Sequence, residues 1–329
     1  MVDKKKKILI IKLGAIGDVV HTTIIATAIK QSHPDWEVHY LTLEGMAGLL
    51  NEHPHIDKLI VWDRAKRKSF RYFVKIALTL FQEHYDIVFN LTNAIRNVMF
   101  SILACPRKIA GKKTYGGLWI EDYFQVAKNL IPELVLPNRL YLGVNELARN
   151  EVQDFLKDYP RPYFVISPAG ISDKFRQGRI WDIIKWKKLT ELIKNEFGGT
   201  VFVCGAKDER DLHELLHAEN TVICSGEFSL AKSNALFSCA DIMISGDSGP
   251  LHVASAHNVN TLALLGSTSP VQIRPYGENG HYISGDFDCK FCWEKKCKLM
   301  KDGEKYTPCM ESISPESVVE RIKNILNKN

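Results

Sequence analysis

The sequence predicts an α/β protein of two doubly wound parallel-sheet domains, and three observations predict it. Short apolar runs alternate with stretches of helical spacing, the pattern of a parallel sheet covered by helices on both faces. The alternation breaks at Tyr159-Pro-Arg-Pro162 and then restarts, and such a proline cluster suits a boundary. A chain of 329 residues is long enough for roughly two cores. The expected domains are 1–158 and 159–329. If they meet at the carboxyl ends of their strands, they form a cleft.

In the first half, Lys7-Ile-Leu-Ile-Ile11 reads as a strand, Leu13 to Asp18 as a loop and Val19 to Lys30 as a helix. Strands follow at Glu37 to Leu43, Lys58 to Trp62 and Asp86 to Leu91. A helix is expected over Tyr72 to His84, where Phe73, Ile76, Ala77, Leu80 and Phe81 share one face. Lys108-Ile-Ala110 reads as a strand ended by Gly111, and Leu118 to Leu130 as irregular or helical. Asn145 to Lys157 is a helix.

In the second half, strands are expected at Tyr163 to Ser167, Thr200 to Cys204, Thr221 to Cys224, Asp241 to Ser245 and Thr261 to Leu265. Helices fall at Trp186 to Phe197, Asp208 to Ala218 and Leu230 to Cys239. The last helix, Ser314 to Leu326, carries its start signals: a capping Ser314, Pro315 at the first position and Glu316 at the positive end. Its apolar face needs a docking partner on one domain or the other.

Composition is that of an ordinary globular protein, 45% hydrophobic and 25% charged. The net charge of +5 permits anionic partners and does not demand nucleic acid. The basic run Lys4 to Lys7 precedes only four apolar residues before Lys12, too few for a signal peptide. No run approaches the roughly 18 apolar residues of a membrane span. A cytoplasmic location is therefore expected, and Cys105, Cys204, Cys224 and Cys239, scattered among apolar neighbours, read as reduced core cysteines.

The chemistry-bearing stretch is Gly246-Asp-Ser-Gly-Pro250, between an apolar strand and a helix that opens with Leu251, Val253, Ala254 and Ala256. Backbone N–H groups at such a helix start attract phosphate. An ordinary turn capped by Asp247 or Ser248 is the alternative. Gly14-Ala-Ile-Gly17-Asp18 follows the first strand, but its Gly-x-x-Gly spacing is not the dinucleotide fingerprint. Asp18 sits at a helix start, where spacing alone makes it an N-cap.

Several motifs taken together resemble one family. Lys12-Leu-Gly-Ala-Ile-Gly-Asp-Val-Val-His21, His53-Pro-His-Ile-Asp-Lys-Leu-Ile-Val-Trp-Asp63 and Asp247-Ser-Gly-Pro-Leu-His-Val-Ala-Ser-Ala256 are similar to stretches of the ADP-heptose:lipopolysaccharide heptosyltransferases, glycosyltransferase family 9. Thr261 to Pro270 and Pro275-Tyr-Gly277 extend the match. The resemblance implies a GT-B fold, two Rossmann-like domains with the acceptor mainly on the first and the nucleotide sugar mainly on the second. It implies inverting transfer from ADP-heptose to a lipopolysaccharide core or related glycan, with no cofactor needed for catalysis and peripheral contact with the inner membrane at its cytoplasmic face. Another nucleotide sugar, or a non-catalytic nucleotide-sugar-binding protein, is the alternative.

By the same resemblance Asp18 is the general base. A carboxylate within hydrogen-bond reach can take the proton of an attacking hydroxyl. Arg179, in Arg179-Ile-Trp181, would offset charge on the departing diphosphate; a surface Arg beside a packing Trp is the alternative. The expected donor contacts are Gly170, Ser172, Asp247, Ser248, Gly249, Pro250 and His252, the last with a buried helix histidine as its alternative. The expected acceptor contacts are Gly14, Gly17 and Arg96, though a solvated loop Arg96 fits equally. The chain departs from the family at Leu13 and Ala15, where Ser or Thr is frequent, at Asp182, where Pro usually follows the Trp, and in a longer loop from Ser172 to Gly178. These departures bear on acceptor and phosphate contacts.

Cys289, Cys292, Cys297 and Cys309 cluster near the C-terminus. Thiolates at such spacings suit a structural tetrahedral Zn or Fe site. Reduced thiols or a disulfide are the alternatives.

Overall fold

The computed structural model describes residues 5–66, 68–92, 95–168, 177–289, 291–294, 296–301 and 304–327. The chain divides into two compact units, Met1–Asn145 and Glu146–Asn329. The division precedes the helix at Glu146–Leu156, whereas the proline break had suggested a boundary after it. That helix packs on the second unit because its aromatic end belongs there: Phe155 meets Phe202 and Phe228.

Unit 1 runs β1 (Lys7–Ile11), α1 (Ile16–Ser32), β2 (Glu37–Leu43), α2 (Ala47–Leu50), β3 (Lys58–Trp62), α3 (Phe70–Gln82), β4 (Ile87–Asn90), α4 (Ile95–Leu103), β5 (Lys108–Gly111) and α5 (Trp119–Lys128). Its five strands are parallel, in the order β3-β2-β1-β4-β5. The order reverses between β1 and β4, so the loops leaving these two strands flank the crevice where α/β sheets bind ligands. α1 is buried without interruption from Val19 to Ile29, between β2 and α5. That accounts for its nearly continuous apolar sequence. On the side of Trp62, Phe73 and Phe100, stacked rings join α3 and α4 to the sheet.

Unit 2 runs α6 (Glu146–Leu156), β6 (Tyr163–Ser167), α7 (Ile183–Phe197), β7 (Thr200–Val203), α8 (Arg210–His213), β8 (Thr221–Ile223), α9 (Leu230–Cys239), β9 (Ile242–Gly246), α10 (Gly249–Ala256), β10 (Asn260–Leu265), α11 (Pro270–Ile273), β11 (Gly280–Ser284), α12 (Pro308–Glu311) and α13 (Pro315–Leu326). Its six parallel strands lie in the order β11-β10-β9-β6-β7-β8, reversing between β6 and β9. The terminal helix α13 docks on α7 and buries Val318, Val319, Ile322 and Ile325, so its partner is the second unit.

Most expected elements are present with shifted ends. Three differences matter. α4 and β11 had no sequence expectation, and Leu118 to Leu130 resolves into α5. The stretch from Asp208 to Ala218 is not one helix but α8 flanked by 3-10 turns. α4 escaped because, apart from Phe100, most of its apolar residues do not face the core, as described below.

Candidate active site

In unit 1 the site is built where β1 ends. Leu91 N–H donates to Ile11 O at 3.1 Å, which carries the pairing of β4 with β1 one step further. Lys12 follows, and its side chain turns inward, leaving the residue 5% exposed. Its Nζ lies 2.8 Å from Asp18 Oδ2 and donates to Leu91 O at 3.3 Å. Tyr123, from α5, donates its hydroxyl to Asp18 Oδ1 at 3.3 Å. Burial lowers the Lys12 pKa and the Asp18 charge opposes that shift. Burial, then the Asp18 charge, pushes the Tyr123 phenol well above its ordinary value. Lys112 lies over the Tyr123 ring at 5.6 Å.

Asp18 is not a capping residue. The N-cap position of α1 is Ala15, which has no oxygen to offer. Asp18 stands in the first helical turn, where the helix dipole favours an anion. Its side chain remains 26% exposed. The carboxylate is thus held from one side by Lys12 and Tyr123 and open to solvent on another, as a proton acceptor must be. Gly14, in the same loop, has its nearest neighbour to an added Cβ at 3.9 Å. Gly17 lies in the first turn of α1 with Asp18. Arg96 falls in the first turn of α4; its side chain lies outside the described residues.

In unit 2 the corresponding place is the end of β9. The helix α10 begins with Ser248 at the N-cap position, Gly249 and Pro250, and no side chain caps it. Both candidate caps are occupied elsewhere. Ser248 Oγ pairs with Ser245 Oγ at 2.8 Å, and Ser245 Oγ donates to Ser167 O at 2.6 Å. Asp247 Oδ2 lies 2.6 Å from Arg179 Nη2, with Arg179 14% and Asp247 8% exposed. By contrast, Ser69, Asp182, Ser229 and Ser314 cap α3, α7, α9 and α13 through their side chains. The start of α10 therefore keeps its N–H groups and dipole directed at whatever approaches.

Asp247 lies beside a guanidinium that carries five N–H donors, more than one carboxylate can use. His252 is a buried helix histidine, and its Nε2 is 3.8 Å from Asp247 Oδ1. Trp181 is a core residue, edge-on to Trp186 and donating Nε1–H to Ile313 O at 3.1 Å. Asp182, in the place of the usual Pro, caps α7 by accepting from Ile184 N–H. Gly178 and Gly266 let two chains pass closely: a Cβ on Gly178 would meet Ser267 Cβ at 2.4 Å, and one on Gly266 would meet Gly178 O at 2.6 Å. Trp293 joins this corner, with its ring 5.9 Å from the Arg179 guanidinium. Gly170 and Ser172 lie outside the described residues.

The chain matches the model of glycosyltransferase family 9 (heptosyltransferase) over residues 73–302. The chain belongs to this family. It is therefore a glycosyltransferase, a transferase enzyme. A lipopolysaccharide core heptosyltransferase, OpsX, of Haemophilus influenzae is 25% identical over 301 residues, covering 85% of this chain and 84% of that protein. The crystal structure of a family 9 glycosyltransferase from Veillonella parvula superposes with a TM-score of 0.85 at 19% identity, over 98% of each chain. The Escherichia coli ADP-heptose lipopolysaccharide heptosyltransferase II superposes with a TM-score of 0.77 at 19% identity, over 98% of this chain and 99% of that one. These likenesses show the GT-B fold of two Rossmann-like domains. The family match contains Tyr123, Arg179 and the Asp247 turn but begins after Lys12 and Asp18, so the unit 1 site stands on its own geometry.

The four C-terminal cysteines influence one another electrostatically, and among the described residues they are not a set whose donor atoms all lie within 4.8 Å of one another. Burial raises the Cys289 thiol, and the charges of Cys292 and Cys297 add to it. Burial likewise raises Cys309, with Cys297 and Cys289 contributing. Among the described residues, the three potential ligands whose donor atoms all lie within 4.8 Å of one another are Glu37, His39 and Glu83. That group is explained by ion pairs: Lys7 Nζ lies 2.7 Å from Glu83 Oε2 and 3.6 Å from Glu37 Oε2.

Sequence reasoning missed Lys12 as the partner of Asp18, and missed Tyr123 and Trp293 altogether. Tyr123 sits on the helix that periodicity left undecided. Trp293 sits among the cysteines, with no regular spacing to draw notice.

Proposed function

We propose that this enzyme transfers heptose, with inversion, from ADP-heptose to a hydroxyl of a lipopolysaccharide core or related glycan acceptor. Unit 1 supplies the base and the acceptor contacts of Gly14, Gly17 and Arg96. Unit 2 holds the donor through Arg179, the Ser248-Gly249-Pro250 turn and His252, with Gly170 and Ser172 in the loop after β6. The observation that carries the proposal is the Arg179–Asp247 pair beside the uncapped start of α10. A mostly buried guanidinium fixed next to uncapped helix N–H groups is suited to a diphosphate.

In the reaction, the acceptor oxygen attacks the anomeric carbon as its proton passes to Asp18. The bond from that carbon to the diphosphate oxygen breaks, and ADP departs carrying the electron pair. Arg179 and the α10 N–H groups offset the charge that develops on the leaving diphosphate. Lys12 and Tyr123 hold the Asp18 carboxylate in place for that step.

A Zn or Fe ion at Cys289, Cys292, Cys297 and Cys309 would be structural. Thiols that raise one another's pKa are a set that a cation would relieve. No step of the transfer uses them. Metal analysis of the purified chain, with and without Cys292→Ser, tests this. The enzyme is proposed to act at the cytoplasmic face of a membrane, and among the described residues no helix is long and apolar enough to cross one.

Calorimetry with ADP, UDP and NAD tests the donor class, with ADP expected to bind and the others not. Tight UDP binding without ADP binding would overturn the choice of donor. Asp18→Ala is expected to abolish transfer while leaving ADP binding intact; unchanged transfer would remove Asp18 from the role of base.

A further inference from the structure

The surface of unit 1 carries an apolar face that the transfer chemistry does not use. On α4, Ile95, Val98, Met99, Ile102 and Leu103 are exposed, Ile95 at 82% and Ile102 at 62%. Their spacing is a single helical stripe. The opposite face of the helix is buried and partly polar: Asn97 is 2% exposed and donates to Thr92 Oγ1, and Ser101 donates to Asn97 O. α4 therefore keeps Phe100, Asn97 and Ser101 inside and turns the remaining apolar residues of its sequence outward. Its packing partner α3 adds Phe70, Leu78 and Phe81, all exposed. A contiguous exposed apolar patch on a globular chain marks an interaction surface.

Charge names the occupant. Residues 64–120 contain eleven basic residues and two acidic ones, a net charge of +9, whereas the rest of the chain, with 32 against 36, is net −4. Arg64, Lys66 and Lys68 before α3, and Arg71 and Lys75 on it, are exposed, as are Lys112 and Lys113 after β5. A second copy of this chain would bring two such faces together against strong like-charge repulsion. An anionic bilayer surface satisfies both halves of the pattern, with apolar side chains entering the headgroup boundary and cations meeting lipid phosphates. The direction fits as well. α4 starts just beyond Thr92, and Leu91 accepts from Lys12, the residue that holds Asp18. The helix thus leads from the lip of the catalytic loop.

We infer that the α3–α4 face docks unit 1 on an anionic membrane surface. The proposal deepens the reading of the enzyme as one that acts on a lipid-anchored glycan, and it can be tested apart from that reading.

The test is co-sedimentation of the full chain with phosphatidylethanolamine–phosphatidylglycerol vesicles and, separately, phosphatidylcholine vesicles. Three proteins are compared: wild type, Met99→Glu/Ile102→Glu and Arg71→Glu/Lys75→Glu. Wild type is expected to bind only the anionic vesicles, and less at high salt. The apolar double variant should lose on the order of tenfold in binding. Each lost cation should cost about fivefold, more when the charge is reversed. All four side chains are exposed, so melting curves and ADP binding should match wild type. Absence of wild-type binding, or equal binding by Met99→Glu/Ile102→Glu, overturns the proposal. So does a wild-type dimer that the same substitutions dissociate, which would assign the face to a second copy. Failure of ADP binding would instead overturn the donor assignment and leave the vesicle result standing.

Discussion

The two units share one topology and place opposite chemistry at the same point of it. Each has a parallel sheet whose order reverses beside its first strand, and each begins a helix there without a side-chain cap. In unit 1 the resulting crevice holds a carboxylate, Asp18, gripped by a buried cation. In unit 2 the carboxylate, Asp247, is the buried partner, and it holds a cation, Arg179. The same ion-pair element is thus presented with its ends exchanged. In the proposed reaction one end offers a base to a neutral hydroxyl, and the other offers positive charge to an anion. Fold alone sets where ligands can bind, and the order of the charges sets which ligand each crevice takes.

Substitutions that remove one end of each pair separate the two roles. Asp18→Asn keeps the shape and removes the proton acceptor, and transfer should fall by about 10² to 10⁴-fold with ADP affinity unchanged in calorimetry. Arg179→Met should do the reverse at the binding step, weakening ADP by about 10 to 100-fold, the worth of a charge-assisted contact. Should Arg179→Met leave ADP affinity intact, the contrast between the crevices would collapse. Lys12→Met is a milder test. Without its ion-pair partner Asp18 should lose its fixed orientation, and transfer should fall by about tenfold with ADP affinity unchanged. A transfer rate that does not fall would make Lys12 a mere packing residue.

The smallest expected effect compares the units' tolerance of acid. Burial and then the Arg149 charge lower the His257 pKa to about 4 in unit 2; in unit 1, burial and His55 lower that of His53 to about 3. Each folded value lies below the unfolded one of about 6.5. The stability these neutral rings contribute is therefore complete above about pH 6.5 and is lost as pH falls toward the folded values. At about pH 5.5 each should cost about 1 kcal/mol, a melting shift of a few degrees. His257→Gln, which can still meet Asn234, should flatten the acid slope of unit 2 alone. An unchanged slope would mean that another group carries it.

The sequence by itself determined the repeated α/β alternation, because buried parallel strands are short apolar runs and their helices repeat at helical spacing. It also marked both crevice loops, Gly14 to Asp18 and Gly246 to Pro250, because glycines, a proline and acids at strand ends are local signals. The start of α13 was legible for the same reason. What it could not determine was anything that depends on which side chains meet. α6 joins unit 2 through Phe155, against the nearby proline break. α4 turns its apolar stripe outward, so a rule that places apolar faces inside had no purchase on it. Only the tertiary structure decided that Asp18 is not a cap, because Lys12 and Tyr123 reach it from β1 and from α5, 105 residues away. Only the tertiary structure decided that Asp247 serves Arg179, because the contact joins segments whose positions are set by the packed sheet between them.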